Sequence, residues 1–409
     1  MKDWTEFGVR ALPEMSARDR VVSVPPIQDL IDALMADFRA KLAAPLRGVT
    51  SDGHVRPGLF STRRGAVDTA PLREAARAFL EALDPVDRPK ASFPLAASEW
   101  RQWFNIHANF FRHGVMLENL TPPQRECGLQ LLRATLSARG FAQARAIMRF
   151  NELLATVSGH TDQYGEWPYF LSIFGTPSAT EPWGWQFDGH HLNVNCMVLG
   201  DEMVLTPTFM GSEPCKATSG ALAGTEVFAH EQQAAIDLVR SLDAIQHDIA
   251  VLYPSIMPGA VPKHLERRVG DHMQAGAFDD NAVLPYQGLR ADALTGVQRA
   301  LLRKVVGVYL GWARDDHATV RAAEVDAHLD ETWFSWLGGT GDTDPFYYRI
   351  QSPVVLIEFD HHPGVAFDNV EPTRHHIHTV LRTPNGGDYG ADLLARHLTE
   401  FDHSHGDHR

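Results

Sequence analysis

Apolar positions in the first part of the chain recur at helical spacing. Ile27, Leu30, Ile31, Leu34, Met35 and Phe38 follow Pro26, and Pro71 to Leu83 makes a second helix closed by Asp84-Pro85. Ser98 predicts the N-cap of a helix running through Trp100, Trp103 and Phe104. Thr121-Pro122-Pro123-Gln124 starts another, with Leu129, Leu131, Leu132 and Leu136 as its core face, and Phe141 to Leu154 continues in helix. From Tyr169 the period shortens. Tyr169 to Phe174, His191 to Leu199 and Met203 to Phe209 read as strands, with Gly200-Asp201 a tight hairpin between the last two. Glu226 to Leu242, Ala244 to Leu252, Thr295 to Trp312 and Val320 to Leu337 return to helical spacing. Tyr347 to Asp360 and Ile377 to Thr383 are again strands, and Leu393 to Phe401 is a closing helix. No internal repeat is visible. The order of elements predicts an α+β fold, with an N-terminal helical part packed on a mostly antiparallel sheet. Residues 1–25 read as an arm, 26–401 as one domain, and 402–409 as a flexible His-rich tail.

Composition narrows the function classes. The chain has 409 residues, 44% of them hydrophobic and 22% charged, the balance of an ordinary soluble globular protein. Its formal charge is 37 − 51 = −14, without a basic face for nucleic acid or anionic lipid. Apolar runs such as Val354 to Ile357 are far too short to span a bilayer. Cys127, Cys196 and Cys215 are scattered and suit a reducing, cytoplasmic compartment. The partner expected is a small-molecule substrate, and the oligomeric state is not legible. Histidine stands out, with 21 residues, many of them adjacent.

The strongest stretch is W-G-W-Q-F-D-G-H-H-L-N-V-N, Trp183 to Asn195. On a strand, His191, Asn193 and Asn195 share one face and Leu192, Val194 and Cys196 the other. A face of imidazole and carboxamide suits a wet cavity wall, where Asn193 orients a ligand. Downstream, His376 and His378 in R-H-H-I-H-T-V-L-R-T stand two apart, on one side of a strand and close enough to chelate one ion. Arg382 continues that face as an anion-binding candidate. In L-I-E-F-D-H-H, Glu358 and Asp360 share a face, and a carboxylate on an apolar strand is costly unless paired or metal-bound. Its structural alternative is an ion pair with Arg349 or Arg382. Asn105, His107, Arg112 and His113 read as structural or supporting, and the histidines of the tail as dispensable. There is no phosphate loop, dinucleotide fingerprint or nucleophile elbow.

The stretches W-G-W-Q-F-D-G-H-H-L-N-V-N, L-T-P-T-F-M-G-S-E-P, F-Y-Y-R-I-Q-S-P-V-V-L-I-E-F-D-H and H-I-H-T-V-L-R-T-P-N-G-G-D-Y-G together resemble the domain-of-unknown-function 3500 family, from roughly Leu30 to Phe401. The resemblance implies that His190, His191, His376 and His378 belong to characteristic motifs. It implies no substrate, cofactor or reaction.

The residues themselves lead to a metalloenzyme. One divalent ion, zinc first and iron or manganese as alternatives, is held by His376, His378 and either His190 or His191. Glu358 serves as fourth ligand or general base. An ion with an open position activates water, so hydrolysis of a small polar substrate is the leading reaction. A non-haem iron oxygenase and a non-enzymatic metal or small-molecule binding protein are the alternatives.

Overall fold

The computed structural model describes residues 35–60, 66–105, 113–159, 161, 164–266, 271–364 and 369–400. The predicted arm, the tail and most of the helix after Pro26 lie outside them. The fold is α+β, and its sheet is mostly antiparallel.

Thirteen strands make one sheet: β1 Ser92–Phe93, β2 Val115–Met116, β3 Tyr169–Phe174, β4 Trp183–Gly189, β5 Leu192–Leu199, β6 Glu202–Val204, β7 Thr208–Ser212, β8 Val251–Tyr253, β9 Leu289–Arg290, β10 Trp333–Gly338, β11 Phe346–Gln351, β12 Leu356–His361 and β13 Ile377–Arg382. The main path is β1-β3-β4-β5-β7-β13-β12-β11-β10-β8, with β2, β6 and β9 on its flanks. Two meanders, β3-β4-β5-β7 and β10-β11-β12-β13, therefore meet where β7 pairs antiparallel with β13.

Each meander follows a helix pair, Pro122–Thr135 with Ala138–Ser158 in the first half and Gly296–Leu310 with Asp315–Ala327 in the second. Both pairs open on a Thr-x-x-Gln cap, in which Gln124 and Gln298 accept from the backbone N–H of Thr121 and Thr295. The arrangement is thus repeated, although the sequence shows no repeat. Helices are split between the halves rather than gathered at the N-terminus.

Several elements differ from the sequence pattern. Met203 to Phe209, read as one strand, is divided between β6 and β7. Val320 to Leu337 is not one helix: the helix ends at Ala327, and Trp333–Gly338 is β10 between β11 and the short strands β8 and β9. Its aromatic side chains fit a strand buried on both faces, and period alone does not separate that from a buried helix. Tyr347 to Asp360 is two strands, broken where Ser352 N–H donates to Val355 O around Pro353. Ser98 starts only a short 3-10 turn, Ser98–Arg101. Trp100 then stacks on Phe174 while Trp103 donates to the Tyr389 hydroxyl, so the two rings serve different contacts.

The two faces of the sheet have different chemistry. Trp185, Val194, Met210, Ile377, Ile357, Phe359 and Tyr348 face the helices and form the main apolar core. The register puts Gln186, Asp188, Asn193, Asn195, Glu358, Asp360, His378 and Arg382 on the opposite face. All of these are buried, covered in part by the segments 97–105 and 271–284. A buried polar face is tolerable only when its groups are hydrogen-bonded. Most here are.

Candidate metal centre

His191, His376 and His378 converge from two places in the sheet. His376 precedes β13 and His378 lies within it, two residues on. His191 comes from the two-residue turn between β4 and β5 rather than from the strand the alternation predicted, which begins at Leu192. Its φ is +63°, a left-handed conformation that few non-glycine residues adopt. The turn is fixed on both sides: His191 N–H donates to Asn105 O, and Gly211 N–H to His191 O.

The Nε2 atoms of the three rings lie 3.2, 3.2 and 3.0 Å apart. His376 Nδ1–H donates to Pro363 O at 2.6 Å, which leaves its Nε2 with a bare lone pair. Burial pushes His376 down to about 4, and burial with the neighbouring imidazoles holds His191 and His378 well below the usual range. All three rings are neutral at pH 7. Three such nitrogens facing one another cannot all satisfy each other as donor and acceptor, whereas a cation between them satisfies all three. Separations of this size would let one ion reach all three nitrogens at ordinary zinc–nitrogen distances of about 2.0–2.1 Å. The hydrogen bond from His376 to Pro363 O, with Glu213 Oε2 3.8 Å away, is the orienting contact that metal-binding histidines usually have.

Gly211 makes the approach possible. It lies opposite His378 on β7, and a Cβ there would stand 3.1 Å from His378, 3.2 Å from His191 and 2.7 Å from the Ile377 carbonyl. Gly211→Ala is expected to weaken metal binding by at least ~10-fold, as changes to supporting groups do, without removing a ligand. Metal titration of the variant checks this; unchanged affinity would show that the rings do not need the space.

The other predicted residues have different places. His190 is outside the triad: its Nδ1 pairs with Asn151 Oδ1 at 2.7 Å and its ring stacks on His191 at 3.9 Å. Asn193 lines no open cavity. It is fully buried and donates to Asp188 and Gly189 O, pinning the turn that carries His191. Burial pushes the Asp188 carboxyl up to about 8.

Arg382 is no anion site. It donates to Ala275 O, Gly276 O, Asp280 and Asp388, and is completely buried. Nor does Glu358 join the triad. Its oxygens accept from Gln274 N–H, Ala275 N–H and the Tyr347 hydroxyl at 2.8, 2.7 and 2.5 Å, so two backbone donors and a phenol meet them rather than an arginine. Arg349 instead turns to Gln287 and Pro285 O. Glu358→Gln should keep the metal and lower stability by about 1–3 kcal/mol, because one N–H faces an amide NH₂ instead of an oxygen. Loss of metal at unchanged denaturation midpoint would restore it as a ligand.

His113 accepts a place beside Gln186, 2.5 Å away, while His107 and Arg112 lie outside the described residues. Sequence reasoning missed Gly211, Asp271, His272 and His362 around the centre. His362 was visible as the second half of a His-His pair at the end of β12. Asp271 and His272 carry no local signal, since a loop brings them in: His272 N–H and Nδ1 both meet Asp360 at 3.0 Å. Burial opposes protonation of His272, but the Asp360 carboxylate outweighs it and raises the value.

Fold and site together define an α+β protein organised around a buried tri-histidine cluster that can hold a metal ion. The chain belongs to the family described as protein of unknown function (DUF3500), whose model matches residues 65–391 and so takes in all three histidines. Neither curated proteins nor solved structures give a match.

Proposed function

We propose that the protein is a metal-dependent enzyme in which His191, His376 and His378 hold one divalent ion, zinc in the leading case. The observation that carries the reading is the triangle of Nε2 atoms, 3.0–3.2 Å on a side, in a site where all three rings are neutral and buried. Three neutral ligands leave the full charge of the ion in place, and a fourth position remains for water. Such an ion would lower the pKa of a bound water to ~7 and supply a nucleophile for a carbonyl or similar electrophile, which is hydrolase chemistry on a small polar substrate. Burial of the ligands favours an ion that stays over one carried as cargo. The free cysteines Cys127, Cys196 and Cys215 suit the cytoplasm. Among the described residues no helix is long and apolar enough to cross a membrane.

A second reading, a non-haem iron oxygenase, draws on the same geometry. Three imidazole donors meeting from one side would equally suit iron, with adjacent positions left for substrate and O₂. Two measurements separate the readings: metal content of the purified protein, and turnover of a panel of esters, amides and related substrates with and without O₂. Zinc with turnover that persists anaerobically supports hydrolysis. Iron with strict O₂ dependence replaces it by the oxygenase, and protein that binds no metal at this centre overturns both.

A further inference from the structure

Beside the triad lies a second set of donors. Asp271, His362 and His378 each present a ligand atom, and these atoms lie within 4.8 Å of one another. His362 is buried against both β13 histidines, its ring 4.6 Å from those of His376 and His378. Its Nδ1–H donates to Pro363 O at 2.7 Å, the carbonyl that also fixes His376, so its Nε2 is the nitrogen with a free lone pair. His378 belongs to both sets. Its Nε2 faces the triad, and its Nδ1 is buried with no hydrogen-bond partner among the described residues, in a side chain only 6% exposed. A buried ring nitrogen left unmet costs free energy unless something completes it.

We infer that Asp271, His362 and His378 form a second divalent-cation position next to the tri-histidine centre, with His378 shared between the two ions. One lone pair binds one ion, so sharing requires the second ion to sit on Nδ1, the nitrogen that lacks a partner. Holding both ions would require His378 to release its Nδ1 proton to solvent, so that each ring nitrogen offers one lone pair. Asp271 supplies the negative charge that the triad lacks. Ions held on opposite nitrogens of one ring would stand further apart than the ~3.5–4 Å of centres that clamp both oxygens of a displacement, so the second ion would serve to hold an anionic group of the substrate, such as a carboxylate or phosphate, beside the tri-histidine centre. This inference rests on the metal reading of the triad.

The test is equilibrium dialysis of the full-length protein against Zn²⁺ alone, followed by metal analysis. Wild type is compared with Asp271→Asn, His362→Ala, His362→Gln and His376→Ala, with folding monitored by circular dichroism. Zinc held by the terminal histidines is the same in all five and cancels in the differences. The expected result is one equivalent less than wild type in Asp271→Asn and in both His362 variants. Asp271→Asn preserves shape on a partly exposed residue, so the test does not depend on the buried histidine alone. Zinc equal to wild type in these three, with one equivalent lost in His376→Ala, overturns the second position and leaves the tri-histidine centre standing. Zinc unchanged in every variant overturns both.

Discussion

Replacing His376 or His378 by alanine is expected to remove the ion at the tri-histidine centre and, with it, activity. Loss of a supporting contact to a ligand already costs about 10–100-fold in metal affinity, and loss of one of three ligands costs more. The fold should survive, since the β13 register is set by its backbone pairs with β7 and β12 and by Ile377, which packs into the core on the helix side. His191→Ala should behave like the other two. His190→Ala should not: its ring backs His191 and pairs with Asn151 but offers no atom to the triad. Metal analysis of the four variants, with circular dichroism as a folding control, decides the matter. Retention of metal in His191→Ala together with its loss in His190→Ala would reverse the assignment.

The second large effect is on stability. Arg382→Met should destabilise the protein by about 3–5 kcal/mol, the usual consequence of removing one partner from a buried ion pair. Arg382 is enclosed beneath the 271–284 segment, with Asp280 and Asp388 each 3.0 Å from Nη1. Burial disfavours its charge, but the two carboxylates outweigh that and raise its pKa, while burial pushes Asp388 up. Without the guanidinium Asp388 loses its ion pair, while Asp280 keeps Arg101 on its other oxygen and the Tyr389 hydroxyl. Chemical denaturation measures the loss. An unchanged midpoint with impaired substrate binding would instead recover the anion-binding role that the strand pattern suggested.

The structure explains why these roles were hard to separate beforehand. Glu358, Asp360, His378 and Arg382 share one face, and alternation makes that much visible in the sequence. What alternation cannot supply is the cover on that face. The segment 271–284 is more than seventy residues distant in sequence, and its backbone N–H and C=O groups meet both oxygens of Glu358 and two of the nitrogens of Arg382. His376 and His378, at the start of β13, are left to face His191. The same cover brings Asp271 and His272 to the site with no periodic signal to announce them.

By itself the sequence determined the elements with clean periods and singled out the histidines that meet in the cluster. The alternation of Asn193 and Asn195 against Leu192, Val194 and Cys196 placed β5, although His191 proved to be in the turn before it, and the His-x-His spacing placed two donors on one side of β13, because the pleat has a fixed period of two. Where the apolar pattern was continuous, as in Trp333 to Leu337, local periodicity could not distinguish strand from helix, and pairing with β11 decided it. The repeat of helix pair and meander escaped the sequence because a core position asks only for apolar volume, which many residues supply. The choice of His191 over His190 was also tertiary. It depends on a left-handed turn residue, on a glycine across the strand at 211, and on the meeting of β7 with β13, none of which a local pattern encodes.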